Sequence, residues 1–258
     1  MGPWRSTVMA SLVSGSSLGS PTLSALTDPT ALDALARDFS TEAPVLAAGL
    51  AHRVDQLRGL EQAAGDVEAL GHETMDLLAP LADRLGMSRW RAALEDASFA
   101  VVAPVDHASL TAHLHADPVA DQARVDDLMA QMRGILGQLG LEGAVTGRVK
   151  SLYSVHRKMQ RKGVPASAIV DRLALRVQVE TEADCYALFA AAQARFGVLD
   201  HETDDYIAHP KPNGYRSLHT AMVEPGVPEP FELQVRTFAM HEHAERGTAA
   251  HWRYKLAV

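Results

Sequence analysis

At 258 residues the chain can form one or two domains with buried cores, and its 47% apolar and 22% charged content is ordinary for a globular protein. A net charge of −8 argues against a protein whose main task is non-specific nucleic-acid binding, although it permits a local basic pocket. No apolar run is long enough to cross a bilayer, the single cysteine excludes an intrachain disulfide, and the N-terminal stretch lacks a signal-peptide core, so a cytoplasmic protein without membrane attachment is expected.

Residues 1–40 are rich in Ser, Thr, Gly and Pro and read as a flexible N-terminal tail, with a short helix near Ala31–Phe39. Residues 41–117 read as all-helical. Leu46, Leu50, Val54 and Leu57 share one helical face, and Val67, Leu70, Met75, Leu78, Leu81 and Leu85 continue the pattern, with a kink expected at Pro80 and a stop at Gly86. Asp117-Pro118 marks a break, after which Val125, Leu128, Met132, Ile135 and Leu139 predict an amphipathic helix ending at Gly140. No strand is expected before residue 140. Residues 118–258 form the second predicted domain. Arg148 to Arg161 reads as a basic helix, and such a cluster in an acidic protein calls for a negative partner, phosphates foremost. Asp171 to Glu180 alternates as a strand, with Leu173, Leu175, Val177 and Val179 on one face. Glu182 to Phe196 returns to helix and places Cys185 as a core thiol. The loop at Tyr206–Ser217, stiffened by Pro-Lys-Pro-Asn-Gly, leads into a strand at Ser217–Val223. Phe231 to Arg236 alternates again, and Met240 to Ala250 is a closing helix, with Trp252 and Tyr254 expected in the core. The order helix–strand–helix–strand–strand–helix predicts an α/β fold, a mixed sheet with flanking helices preceded by the all-helical region.

Three features point to phosphate chemistry. The Tyr206–Ser217 loop and the strand after it offer Lys211, Tyr215, Arg216 and His219, an aromatic face among donors that suits a nucleotide. Asp171 and Glu232 each open an alternating strand, and two converging carboxylates can hold Mg²⁺, which prefers oxygen ligands. Glu202, Asp204 and Asp205 either hold a second metal or form a solvated acidic turn. His241, His243 and His251 do not have zinc spacing, because Glu245 stands where a second ligand would be needed. Walker-type, dinucleotide and nucleophile-elbow motifs are absent.

The C-terminal half resembles the RelA/SpoT family of alarmone synthetases. Gly147–Met159 resembles its opening helix, Asp171-Arg172-Leu173-Ala174-Leu175-Arg176 its Asp-x-x-x-x-Arg strand, and Asp205–Thr220 its nucleotide loop. Glu232-Leu233-Gln234-Val235-Arg236-Thr237 resembles its Glu-x-Gln-x-Arg-Thr strand, and Met240-His241, Ala244-Glu245 and Ala249–Trp252 its last helix. The resemblance implies a synthetase domain of nucleotidyltransferase type that transfers pyrophosphate from ATP to the 3′-hydroxyl of GDP or GTP, making ppGpp or pppGpp for the stringent response. It implies that Arg148, Lys150, Ser154, Lys158 and Arg176 hold ATP, that Asp171 and Glu232 ligate Mg²⁺, and that Tyr215 stacks on guanine with Lys211, His219 and Asn213 beside it. Glu232 would assist deprotonation of the 3′-hydroxyl, supported by Gln234 and Arg236. Glu202-Thr203-Asp204-Asp205 is the acidic version of a run that is basic in two-activity members, and Ser151 and Arg246 stand where His and Tyr are more usual. Leu50–Arg58 resembles a helix of the family's hydrolase, but His52 replaces its metal-binding Asp and Gln56 its Asn, and residues 1–45 contain no His-Asp pair. Hydrolysis is therefore not expected, nor is ribosome sensing through the family's long C-terminal regulatory region. Two other readings stay open: the same transfer to ATP, ADP or a tRNA 3′ end, and an idle nucleotide-binding regulatory protein. A homo-oligomer is compatible with the sequence.

Overall fold

The structure is a computed structural model that describes residues 4–40, 42–59 and 67–246, with backbone only at 200–202 and 246. The chain divides into two compact units. One comprises the residues up to Ala112 together with Ser151–Ser154, and the other His113–Lys150 with the residues from Val155 onward.

The first unit is helical: α1 (Arg5–Ser14), α2 (Ser20–Leu26), α3 (Pro29–Phe39), α4 (Ala43–Gly59), α5 (Val67–Glu73), a π-helical turn at Thr74–Leu78, α6 (Ala79–Arg84), α7 (Ser88–Val102) and α8 (Pro104–His113). The kink expected at Pro80 is realised as that π-turn, which ends just ahead of the proline and leaves its missing N–H in the first turn of α6. Residues 5–39 depart from the loose tail that their composition predicts. Val8, Leu12, Leu26, Leu32, Leu35 and Phe39 are buried with Leu46, Leu50 and Leu57 in one core, so burial of a few well-placed apolar side chains overrides the weak local preference of the Ser and Gly around them. At the centre of this unit Arg53 is fully buried. It pairs with Glu73 at 3.0 Å and also donates to the Ser11 and Thr74 hydroxyls.

The second unit contains α9 (Pro118–Leu139), β1 (Gly143–Val149), α10 (Leu152–Lys162), β2 (Leu173–Val179), α11 (Glu182–Arg195), β3 (Gly197–Asp205), β4 (Leu218–Val223), β5 (Pro230–Thr237) and α12 (Phe238–Arg246). The predicted α9 is capped at both ends. The Asp117 carboxylate accepts from the Val119 and Ala120 N–H groups, and Gly140 takes the left-handed conformation after the last turn. The sheet order is β1-β2-β5-β4-β3, with β2 and β5 parallel and every other pair antiparallel. This is the mixed sheet with flanking helices that the α/β reading called for.

Two strands were not foreseen. β1 has only Val145 and Val149 as clear apolar positions, and Gly147 is there because a Cβ would lie 2.4 Å from Val125 of α9. The basic stretch read as one helix from Arg148 is consequently split. Arg148 lies on β1, Lys150 follows it, and the helix begins at Leu152. β3 is an edge strand of mostly polar residues whose ladder shifts between Leu199 and Asp204, so it has no clean alternation to read. Trp252 and Tyr254, expected in the core, lie outside the described residues, as does the end of the predicted last helix. Among the described residues no helix is long and apolar enough to cross a membrane. Cys185 is buried, and burial, with Asp184 and Glu182 nearby, pushes its thiol up to about 12, so it is an inert core residue.

Candidate active site

Strand register puts the polar residues of four strands on one face of the sheet. Leu173, Leu175, Val177 and Val179 of β2, with Phe231, Leu233 and Val235 of β5, turn to the core shared with α9 and α11. Opposite faces alternate along each strand, so Ala174, Arg176 and Gln178 turn the other way and pair with Glu232, Gln234 and Arg236 of β5. Arg148 of β1 is aligned with Ala174, and His219 of β4 with Gln234. The sequence-predicted groups Arg148, Arg176, Glu232, Gln234, Arg236 and His219 therefore line one surface.

Asp171 sits just before β2. Its Oδ2 is 2.5 Å from Lys150 Nζ and 2.9 Å from Lys158 Nζ, and its Oδ1 is buried without a hydrogen-bond partner. Burial works to raise this carboxyl, but the two ammonium groups outweigh it and hold Asp171 below the usual carboxylate range. The Lys150 N–H also donates to the Arg172 carbonyl at 2.6 Å, which fixes the lysine beside Asp171. Arg172 is buried and forms ion pairs with Asp121, in the first turn of α9, and with Glu229 just before β5. It ties the start of β2 to two other elements. Sequence reasoning missed this anchor, although an arginine directly after the candidate ligand was its signal.

Glu232 faces a second cluster. Its Oε1 is 3.3 Å from His219 Nδ1, its Oε2 accepts from Gln234 Nε2 at 2.9 Å, and His219 Nε2 is 2.8 Å from the Tyr215 hydroxyl. Burial raises the Glu232 carboxyl and Asp171 adds to that, yet His219 and Gln234 hold it below the usual range, so it is a carboxylate at neutral pH.

The loop before β4 is built to hold Tyr215. Asp205 accepts from the Ile207 and Ala208 N–H groups and from the Tyr186 hydroxyl, so this acid secures the loop's entry; the acidic run read as a metal site or a solvated turn is the end of strand β3. Asn213 accepts from the Tyr215 N–H, and Gly214, at φ +78°, makes the turn that a side chain would strain. Asn213 is thus occupied in shaping the loop. Tyr206, Tyr215 and His219 pack edge to face, and Lys211 Nζ lies 4.1 Å over Tyr206 and 5.4 Å from the Tyr215 ring centre. Burial raises the Tyr215 hydroxyl above its ordinary range, which keeps it protonated.

Behind Tyr215 lies Arg236, only 1% exposed, with its guanidinium 5.9 Å from the ring centre. It reaches His241 Nδ1 at 2.9 Å and Glu245 at 3.7 Å, and Arg176 reaches the same Glu245 at 3.4 Å. Arg148 is exposed on the sheet face. Ser154 groups with the first unit, where its N–H and hydroxyl both meet Ser151 Oγ and where Asp96 accepts from the Leu152 and Tyr153 N–H groups.

A family model described as "Region found in RelA / SpoT proteins" matches residues 147–257. The GTP pyrophosphokinase of Escherichia coli K12 is 37% identical over 207 residues, which are 80% of this chain and 28% of that protein. The probable GTP diphosphokinase RSH3 of Oryza sativa is 40% identical over 210 residues, 80% of this chain and 29% of that one. Among solved structures, small alarmone synthetase 1 of Bacillus subtilis is 29% identical, with a TM-score of 0.46 over 53% of this chain and 78% of its own. The chain spans little more than a quarter of the length of the curated relatives it matches. Residues 147–257 of this chain thus match a region found in RelA/SpoT proteins.

Proposed function

We propose that this chain is a GTP/GDP pyrophosphokinase: it transfers the terminal pyrophosphoryl group of ATP to the 3′-hydroxyl of GDP or GTP and releases AMP. The observation that supports this most is the presence of two tethered acids on neighbouring parallel strands: Asp171 just ahead of β2, held by Lys150 and Lys158, and Glu232 on β5, held by His219 and Gln234. The E. coli and rice relatives are named for this activity.

The residues have matching tasks. Tyr215 offers the acceptor guanine a ring that Arg236 backs from behind, and Lys211 supplies a cation beside it. Glu232 takes the proton of the 3′-hydroxyl as its oxygen bonds to the β-phosphorus of ATP, and the bond from that phosphorus to the α-phosphate bridge oxygen breaks toward AMP. A positioned general base contributes about 10²–10⁴-fold to such a step. Holding two nucleotides in line supplies roughly 7–11 kcal/mol of the barrier. Lys150 and Lys158, now spent on Asp171, can turn to ATP phosphates, with Arg148 and Arg176 completing the donor set.

The donor set also fits Mg²⁺. Asp171 has one buried oxygen without a partner, and a carboxylate pair is the hard-oxygen environment this ion takes, so Asp171 and Glu232 would hold it. When bound it would neutralise charge on the transferred phosphates. We read the helical unit as lacking hydrolase activity. The place of the metal-binding Asp is taken by the exposed His52, Gln56 stands for the Asn, and Arg53 turns inward to Glu73. With ATP and GDP as its substrates, the proposed enzyme would work in the cytoplasm.

The test offers purified protein ATP and Mg²⁺ with GDP, GTP, excess ATP or total tRNA as competing acceptors, followed by chromatography. The reading requires 3′-pyrophosphorylated guanosine nucleotides. Labelled product on ATP or tRNA alone would make this a different transferase, and tight nucleotide binding without turnover would make it a regulatory protein. Separately, ppGpp with Mn²⁺ should release no pyrophosphate.

A further inference from the structure

His219 stands between the two halves of the proposed acceptor site, and this inference rests on the reading of Glu232 as base and Tyr215 as stacking platform. The ring is pinned on several sides. Its Nδ1 is 3.3 Å from Glu232 Oε1 and its Nε2 is 2.8 Å from the Tyr215 hydroxyl. Tyr206 and Tyr215 meet it edge-on at 5.5 and 5.7 Å. Only 17% of the His219 side chain and 19% of that of Glu232 are exposed, so water competes little for these bonds. Gln234 closes the other oxygen of Glu232.

The chemistry of the partners decides which nitrogen holds the proton. A carboxylate only accepts, so Nδ1 must donate. In the neutral ring Nε2 is then a bare acceptor, and the Tyr215 hydroxyl supplies the donor it needs. The chain runs from Tyr215 O–H to Nε2, and from Nδ1–H to Glu232.

We propose that His219 is a positioning residue: as the Nδ1–H tautomer it aims the Glu232 carboxylate and couples it to the ring on which the acceptor base stacks. This task is distinct from contact with the acceptor's phosphates. It means that seating a purine on Tyr215 and orienting the base are linked through one imidazole.

Two isosteres separate the tasks in steady-state assays on the full chain. His219→Asn keeps an amide N–H near the Nδ1 position, and His219→Gln keeps one near Nε2. If His219 positions Glu232, kcat falls about tenfold or more further in the Gln variant than in the Asn variant, the worth of one hydrogen bond to a charged group, while the acceptor KM of the two stays similar. If both variants instead raise the acceptor KM alike and leave kcat alone, His219 serves only to bind phosphates and the proposal falls. A second readout needs no turnover. In ¹⁵N spectra of imidazole-labelled protein, with His219 assigned by its loss in the Asn variant, Nδ1 should be protonated and Nε2 bare. Glu232→Ala should shift the ring toward the Nε2–H form, and Tyr215→Phe should move the Nε2 signal. An Nε2–H ring in the unmodified protein, or no response to Glu232→Ala, overturns the proposal. Failure of the unmodified protein to pyrophosphorylate GDP or GTP would sink the enzyme reading, and the nitrogen spectra would still decide whether His219 is held as described.

Discussion

The two units bury charge in opposite ways. In the helical unit Arg53 and Glu73 face each other at 3.0 Å with the side chains 0% and 1% exposed, and Ser11 and Thr74 take up other donors of the arginine. That network ties α1, α4 and the start of the π-turn together, although Arg53 Nε is buried without a partner. On the sheet, Asp171 and Glu232 keep 14% and 19% of their side chains exposed, and one Asp171 oxygen has no partner. A fully buried pair fixes a fold, whereas a partly exposed set of charges on a sheet face is open to a ligand.

Substitutions can break this contrast. Glu232→Gln should lower pyrophosphoryl transfer by about 10²–10⁴-fold with little change in thermal stability, because the amide keeps its place beside His219; kcat and a melting curve on the same sample check both halves. An equal fall in stability would mean that the sheet-face charges are structural after all. Arg53→Ala should do the reverse. It strands Glu73 in the core and should cost about 3–5 kcal/mol in denaturant unfolding, with the specific activity of the folded fraction intact. Gly147→Ala sharpens the comparison within the second unit, since the methyl would press on Val125 and Met129. A loss of about 1–3 kcal/mol is expected, again without a selective loss of transfer.

The smallest effect concerns acid. Asp171 and Glu232 are both held below their ordinary pKa when folded, so the stability they contribute is fully present above the unfolded values and is lost as pH falls through the folded ones. Below roughly pH 4 the unmodified protein should lose stability more steeply than Asp171→Asn, which no longer binds that proton. Parallel acid-unfolding curves would show that Asp171 is not held as its lysine contacts indicate.

Much of the sheet unit was legible in advance where local patterns are strong. β2 and β5 alternate cleanly, α9 has Asp117 and Gly140 at its ends, and Pro-Asn-Gly marks the loop that presents Tyr215. Where the pattern is weak the structure departed from it. β1 is interrupted by Gly147, β3 is polar and irregular, and the Ser-rich first forty residues conceal a handful of apolar side chains that find a core. Arg172 escaped notice for a related reason: its partners Asp121 and Glu229 are distant in the chain and carry no pattern that links them.

The sequence by itself determined the periodicities, the turn chemistry and the ordered motifs that identify residues 147–257 as a RelA/SpoT region. Tertiary structure alone decided which side chains meet: that Lys150 and Lys158 converge on one oxygen of Asp171, and that His219 falls between Tyr215 and Glu232. The reason is register. A one-residue slip of β4 against β5 would turn His219 to the other face, and nothing local to either strand selects the pairing. The shared core on the opposite face excludes that slip, because it would turn Leu218 and Met222 away from Phe231, Leu233 and Val235.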